Sequence, residues 1–215
     1  MSNKDIQKKR MLMYFIEATQ SIMEKDGIEN VTIRKIADVA GYNSATLYNY
    51  FKNLDHLISF ASIKYLKAYN LDIAKCENKY TEDYKKYYEM WRIFCKHSFK
   101  NAPAFFLIFF NLKSKELKEM TKLYYEIFPE DLGVHNSDIT LMLTGENINT
   151  RNKMLLNHLV KSNYIELKDV EIINDIVISF YKNLLLLKVD CMEQIDSEEL
   201  TKKMLTCIEF IITRK

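Results

Sequence analysis

The side chains best placed to do chemistry in this chain crowd into one short stretch. Tyr42, Asn43, Ser44, Ala45, Thr46, Tyr48, Asn49, Tyr50 and Lys52 follow one another almost without interruption. They offer hydroxyls, amides and an ammonium group, a set suited to recognition. Short side chains such as Ala45, Thr46 and Asn49 reach base edges in a major groove, while Tyr48, Tyr50 and Lys52 hold phosphate oxygens. Thr32 and Arg34 stand at the start of the preceding helical segment, where the positive helix end also favours the backbone of a nucleic acid.

These residues need a scaffold, and the flanking pattern supplies one. In Lys4–Lys25 the apolar positions Leu12, Phe15, Ile16, Ile22 and Met23 fall on one helical stripe, and Gly27 suits the C-terminus. Thr32 can cap a helix over Thr32–Ala40 whose inner face is Ile33, Ile36, Ala37 and Ala40. Gly41 gives the backbone freedom a sharp turn needs. Asn43 caps a third helix, Ser44–Tyr50, with Leu47 and Phe51 turned inward. Two short helices joined by a tight turn make a helix-turn-helix, and so small a unit needs the first helix to complete its core. An ordinary pair of core helices would not crowd hydrogen-bonding types onto its outward face.

The stretch VTIRKIADVAGYNSATLYNYFKNLDHL, Val31–Leu57, resembles the TetR family of bacterial regulators. Gly27, Thr32, Ile36, Ala37, Ala40, Gly41, Thr46, Leu47, Tyr48, Tyr50, Phe51, Lys52 and Asp55 match the family pattern in order. The chain departs from it at Leu54, where the family often has Lys, which removes one phosphate contact. The resemblance covers about the first quarter of the chain. It implies an all-α protein with an N-terminal three-helix DNA-binding domain, residues 1–52, and a C-terminal helical domain for effector binding and dimerisation, residues 53–215.

Beyond the motif the pattern stays helical. Asn53 caps a fourth helix running to about Cys76, and further helices are expected at Thr81–Asn101, Ser114–Phe128, Asn149–Asn163, Lys168–Met192 and Ser197–Thr213. Pro103 marks a break before the apolar run Ala104–Asn111, and Glu130–Asn147 reads as loop with a short helix. On the helix after the linker, Tyr84, Tyr88, Trp91, Cys95 and Ser98 share a face. With His97, Phe106 and Phe109 they are the candidate lining of a pocket for an apolar or aromatic effector, expected to show a cavity on the order of 300 Å³ beside Trp91. Each of these residues singly reads as core packing, so the pocket rests mainly on the resemblance. The helix Lys168–Met192 carries apolar residues round most of its circumference, including Leu184 and Leu187, and such a helix needs burial on all sides. With Ser197–Thr213 it is the expected surface of a homodimer.

Composition sets the outer limits. Only 4 Gly and 2 Pro in 215 residues argue for long helices and against an all-β fold. The net charge of +2 is uninformative as a sum, but four of the basic residues fall within the first ten positions. Cys76, Cys95, Cys191 and Cys207 form no Cys-x-x-Cys pair, which suits a reduced compartment. The start MSNKDIQKKR has no apolar signal core, and Ala104–Phe110 is too short to span a membrane, so a cytoplasmic protein is expected. The histidines stand apart, and no nucleophile elbow, phosphate loop or dinucleotide fingerprint occurs. Neither metal nor cofactor is expected. A helical-bundle enzyme would need a convergent acid–base or metal set, and an adaptor would have lost DNA binding.

The expected function is ligand-responsive transcriptional control, by resemblance more often repression. A dimer would read a palindromic operator with half-sites about 34–36 Å apart or a multiple of that. Effector binding would shift the population toward a spacing that no longer fits.

Overall fold

The computed structural model describes residues 3–77, 79–191 and 194–213, and no β-strand occurs among them. Helix α1, Asn3–Asp26, buries Leu12, Phe15, Ile16, Ile22 and Met23, together with the polar Thr19 and Gln20. Helix α2, Ile33–Ala40, is capped by Thr32, whose hydroxyl oxygen accepts from the Lys35 N–H at 3.3 Å. It ends at Gly41, where φ is 73°. A Cβ there would meet nothing within 4 Å, so the left-handed backbone itself, not crowding, selects glycine.

Helix α3 spans Ser44–Leu47, three residues shorter than expected. Beyond it the chain tightens into i→i+3 bonds, Asn49 N–H to Thr46 O at 3.2 Å and Tyr50 N–H to Leu47 O at 3.0 Å. The segment therefore keeps turning while its α-helical ladder stops. Helix α4, Leu54–Ser62, starts on Asn53, whose side chain accepts from the His56 N–H at 2.8 Å. The expected continuous helix to Cys76 is broken. A 3₁₀ turn at Ile63–Tyr65 separates α4 from α5, Leu66–Glu77. Ser62 donates back to the Ile58 carbonyl at 2.8 Å, a bond that competes with the helical ladder and bends it.

The remaining helices are α6, Asp83–Lys100; α7, Ala102–Phe106; α8, Ser114–Ile127; α9, Ser137–Leu143; α10, Ile148–Lys161; α11, Val170–Asp190; and α12, Ser197–Thr213. The long helices fall within two residues of their expected ends, except that Met192 lies outside the described residues. Pro103 sits in the first turn of α7, where its missing N–H costs nothing. The apolar run after it does not stay α-helical: Leu107–Asn111 forms a π-helix.

Helix α6 is the centre of the larger bundle, packed against α5, α10 and α12. Helix α1 packs on α2 and α4, and α4 in turn touches α7, the π-helix and α8. Polar bonds tie the two regions. Gln20 donates to Ala61 O and to the Tyr124 hydroxyl, each at 3.2 Å. Tyr124 donates to the buried Asp131 carboxylate at 2.8 Å, which also pairs with Lys67 at 2.8 Å. The Lys9 ammonium reaches the Glu126 carbonyl.

Candidate nucleic-acid interface and effector region

The N-terminal unit has a closed inner side and an open outer one. Phe15, Ile36, Ala37, Leu47 and Phe51 are buried, and fully burying each large side chain is worth roughly 1.5–3 kcal/mol. Outside this core Thr32, Arg34, Tyr42, Asn43, Ala45, Tyr48, Asn49 and Lys52 are exposed, and Ser44, Thr46 and Tyr50 are half-buried. Several are already engaged. Asn43 uses its amide oxygen to cap the Ala45 N–H at 2.9 Å, which leaves its NH₂ as a donor. The Thr32 oxygen accepts as a cap, so its hydroxyl proton remains to donate. The Tyr42 ring packs on Phe15 at 5.7 Å and Tyr14 at 6.0 Å, and the Tyr50 ring lies 6.2 Å from Phe15. The first helix thus fixes the aromatic ends of the turn. Lys52 lies 3.6 Å from Glu116 with both groups well exposed, a pairing too weak to hold it.

The effector region differs from its sequence reading. The expected face of α6 divides in two. Tyr84 and Tyr88 are half-buried on an outer side, where Tyr84 stacks on Tyr164 at 5.6 Å. Trp91 is buried, edge-on to Phe94 and to Tyr181 at 5.5 Å each. Its indole N–H donates to Asn152 at 3.1 Å, and the same oxygen accepts from the Tyr87 hydroxyl at 3.0 Å. Asn152 continues to Asn174 at 3.1 Å, and Asn174 to Asn149 at 2.9 Å. Cys95 is fully buried, and burial pushes its thiol pKa up. The Ser98 hydroxyl is spent on the Cys95 carbonyl at 3.3 Å. Phe106 stacks on Phe110 at 5.6 Å, and Phe109 packs on Phe94 at 5.5 Å.

A cavity beside Trp91 measures about 30 Å³, lined by Tyr69, Met90, Trp91, Phe94, Met142, Ile148, Arg151, Asn152 and Leu155. That is room for a water or two rather than for an effector, well short of the expected size, because the surrounding rings fill the space against one another. Of the eight side chains expected at a pocket, Trp91 alone borders this cavity. A second cavity, of about 60 Å³, shares Met90 and Leu155 with the first and adds Asp83, Lys86, Asp138 and His158.

His97 is turned to another task. Its Nε2 lies 2.9 Å from Asp72, which also accepts from Lys75 at 2.9 Å. Burial opposes the Asp72 charge, but the hydrogen bonds from Lys75 and His97 outweigh it and hold the carboxyl at about 2, below its ordinary 3.8. A depressed carboxylate contributes stability that is complete above its unfolded pKa and is lost as pH falls through the folded value. Asp72→Asn should therefore unfold at lower urea than the parent at neutral pH, and the gap should close as pH drops from about 4 to about 2. A gap that persists at the acid end would assign the loss to packing instead.

Residues 15–59 match the family model described as bacterial regulatory proteins, tetR family. Over residues 15–59 the chain is therefore of TetR type. No curated protein sequence matches the chain. Among solved structures it resembles FadR of Thermus thermophilus, a TetR-family repressor in complex with lauroyl-CoA, with TM-score 0.63, 13% identity, and coverage of 95% of this chain and 96% of that one. It also resembles RolR in complex with resorcinol, with TM-score 0.60, 13% identity, and coverage of 97% and 96%. The fatty acid degradation regulator FadR of Bacillus halodurans gives TM-score 0.56 at 14% identity, covering 92% and 94%. These likenesses show that the TetR-type architecture extends over the whole chain.

The residues that sequence reasoning missed sit in the helices after residue 80. Tyr87, Arg151, Asn152 and Asn174 are buried around Trp91. A signal for two of them was present. In α10 the inner stripe runs Ile148, Leu156, Leu159, and Arg151 and Asn152 occupy the turn between them. Polar residues in an apolar stripe mark a network or a site.

Proposed function

We propose that the chain is a ligand-responsive DNA-binding regulator, a homodimeric repressor that leaves a palindromic operator when a small molecule occupies its C-terminal domain. The observation that carries this reading is the polar outer surface of α2, the turn and α3 over a fully buried core, in a domain of TetR type. Residues 1–52 would read DNA, with Ala45, Thr46 and Asn49 at base edges and Thr32, Arg34, Tyr48, Tyr50 and Lys52 on phosphates. Residues 53–215 would hold the effector and the dimer contact. The neighbours' ligands, lauroyl-CoA and resorcinol, support an effector with an apolar or aromatic body. A cytoplasmic location fits the reading, and among the described residues no helix is long and apolar enough to cross a membrane.

A mechanical route connects the two functions. Phe109 belongs to the π-helix Leu107–Asn111, which packs on α4. Helix α4 directly follows the DNA-reading unit. A ligand that shifts the π-helix would tilt α4 and change the distance between the recognition helices of a dimer, provided it binds one arrangement more tightly than the other.

The direct test is a gel shift with DNA flanking the protein's own gene; failure to retard any such fragment would end the DNA-binding reading. Lys52→Ala should weaken binding to all sequences alike and lower the slope of log affinity against log salt by about 1, because a phosphate contact releases counterions and reads no base. An unchanged slope would remove Lys52 from the phosphate contacts.

A further inference from the structure

Arg151 is a buried cation without a counter-ion. Its side chain is 5% exposed, and no carboxylate among the described residues pairs with it. Its Nε and Nη2 each lie 3.4 Å from the Gly145 carbonyl, at the long limit of a hydrogen bond, and its Nη1 has no partner. The guanidinium lies 5.0 Å over the Phe109 ring, and the groups that favour its charge are the phenols of Tyr125 and Tyr69. Burial accordingly pushes its pKa down. Taking a charge out of water is costly unless a partner of opposite sign compensates it. A guanidinium fork offers two parallel donors that match a carboxylate. This one borders the cavity beside Trp91.

We propose that this cavity is the seat of an organic monocarboxylate, whose head group pairs with Arg151 and whose apolar body displaces the side chains that now fill the space. The inference rests on the reading of the chain as an effector-responsive regulator. Several observations shape it. Arg151 is the only cation lining the cavity, so the site balances one negative charge and not the several of a phosphate ester. The remaining walls are apolar apart from Asn152, Tyr69 and Trp91, whose indole N–H is given to Asn152. Met90 and Leu155 stand between this cavity and the 60 Å³ one beside it, and methionine is unbranched and adapts its shape at little cost. When Met90 and Leu155 turn aside, the two spaces join into a slot whose far part holds Asp83 and Asp138 beside Lys86 and His158, so the carboxylates there offset the basic groups and Arg151 keeps the one uncompensated charge. Because Arg151 lies on Phe109, neutralising its charge acts on the π-helix that packs against α4.

The test uses the full-length protein and two matched probe series. One holds the linear carboxylates from butyrate to dodecanoate, with benzoate and phenylacetate; the other holds their primary amides. Binding is read from the fluorescence of Trp91, the chain's single tryptophan, and from thermal shift. At least one carboxylate should bind the parent about tenfold to a hundredfold more tightly than its amide, the worth of a charged hydrogen-bonded pair. Arg151→Met should abolish that preference, keep amide binding, and melt no lower than the parent without ligand, since it removes an uncompensated charge. Equal affinity for acid and amide, or no response to any carboxylate, would overturn the inference on the parent protein alone, whether or not the variant folds. An Arg151→Met protein that melts lower and still prefers the carboxylate would overturn it too. Binding is read without DNA, so a failed gel shift brings down the regulator reading and leaves this one standing. A protein whose gel shift responds to neutral compounds only brings this one down alone.

Discussion

The double substitution Ile176→Glu and Leu187→Glu should leave a folded monomer that no longer holds its operator. On α11 the positions Ile172, Ile176 and Leu187 are 57%, 43% and 41% exposed, and Phe210 on α12 is 55% exposed. Positions 172, 176 and 187 repeat at helical spacing, so they form one stripe along the outside of the bundle. The opposite stripe of α11, with Ile173, Val177, Leu184 and Leu185, is buried in the protein's own core. The sequence expectation that Leu184 lies at the subunit contact is therefore corrected: at 3% exposure a glutamate there would unfold the chain and say nothing about assembly. A carboxylate placed in an apolar contact must be desolvated without a partner, at a cost of several kcal/mol. Two such groups on each subunit of a symmetric contact act four times over. Sedimentation should then show a monomer at micromolar concentration with an unchanged helical spectrum. Operator affinity should fall by about 10²–10⁴, the gain normally obtained by linking two half-site contacts. A dimer that survives both charges would place the contact elsewhere.

How much of this was legible in the sequence depends on how local each feature is. The helix-turn-helix is built from neighbours in the chain. Thr32, Asn43 and Asn53 each cap the helix that follows them, and Gly41 takes the left-handed turn, so residue types at short spacing carry the information. The long helices were legible because burial imposes a period of 3.6. Where that period is interrupted, sequence reasoning failed. The bend after Ser62 comes from one back-bonded hydroxyl, and the π-helix at Leu107–Asn111 lies in a run so uniformly apolar that no period shows. The surroundings of Trp91 were hardest, because they are assembled from α5, α6, α9 and α10. On α6 the choice between Tyr84, Tyr88 and Tyr87, Met90, Phe94 as the inward set depends on which neighbour packs on each side. Tyr164 takes the first pair's side, while Asn152 and Arg151 meet the second. No spacing within α6 encodes that choice.

Phe15→Ala should abolish DNA binding while sparing the Trp91 environment. Phe15 is fully buried, and its ring is the common floor for Tyr42, Tyr50 and Phe51, at 5.7, 6.2 and 6.3 Å. Truncating a buried phenylalanine costs about 3–5 kcal/mol, from lost burial and from the cavity left behind. The cost falls on a unit whose core is only a handful of side chains from α1, α2, α3 and Phe51, so it consumes much of whatever local stability that unit has. The turn and α3 would then sample arrangements in which Tyr48, Asn49 and Lys52 no longer share one surface. The buried side chains form one continuous core, but Phe94, Phe99, Phe105 and Tyr181 around Trp91 make no ring contact with Phe15 among the described residues. Hydrogen exchange should therefore speed up across α1–α3, while the Trp91 fluorescence transition stays close to that of the parent. Two links set the limit of this independence: the Gln20–Tyr124 bond joins α1 to α8, and the rings of Phe15, Phe51, Phe60 and Tyr124 run in sequence between the two regions. If the Trp91 transition falls together with loss of protection in α2 and α3, those contacts are strong enough to make the chain one cooperative unit. The division at residue 52 would then describe function and not folding.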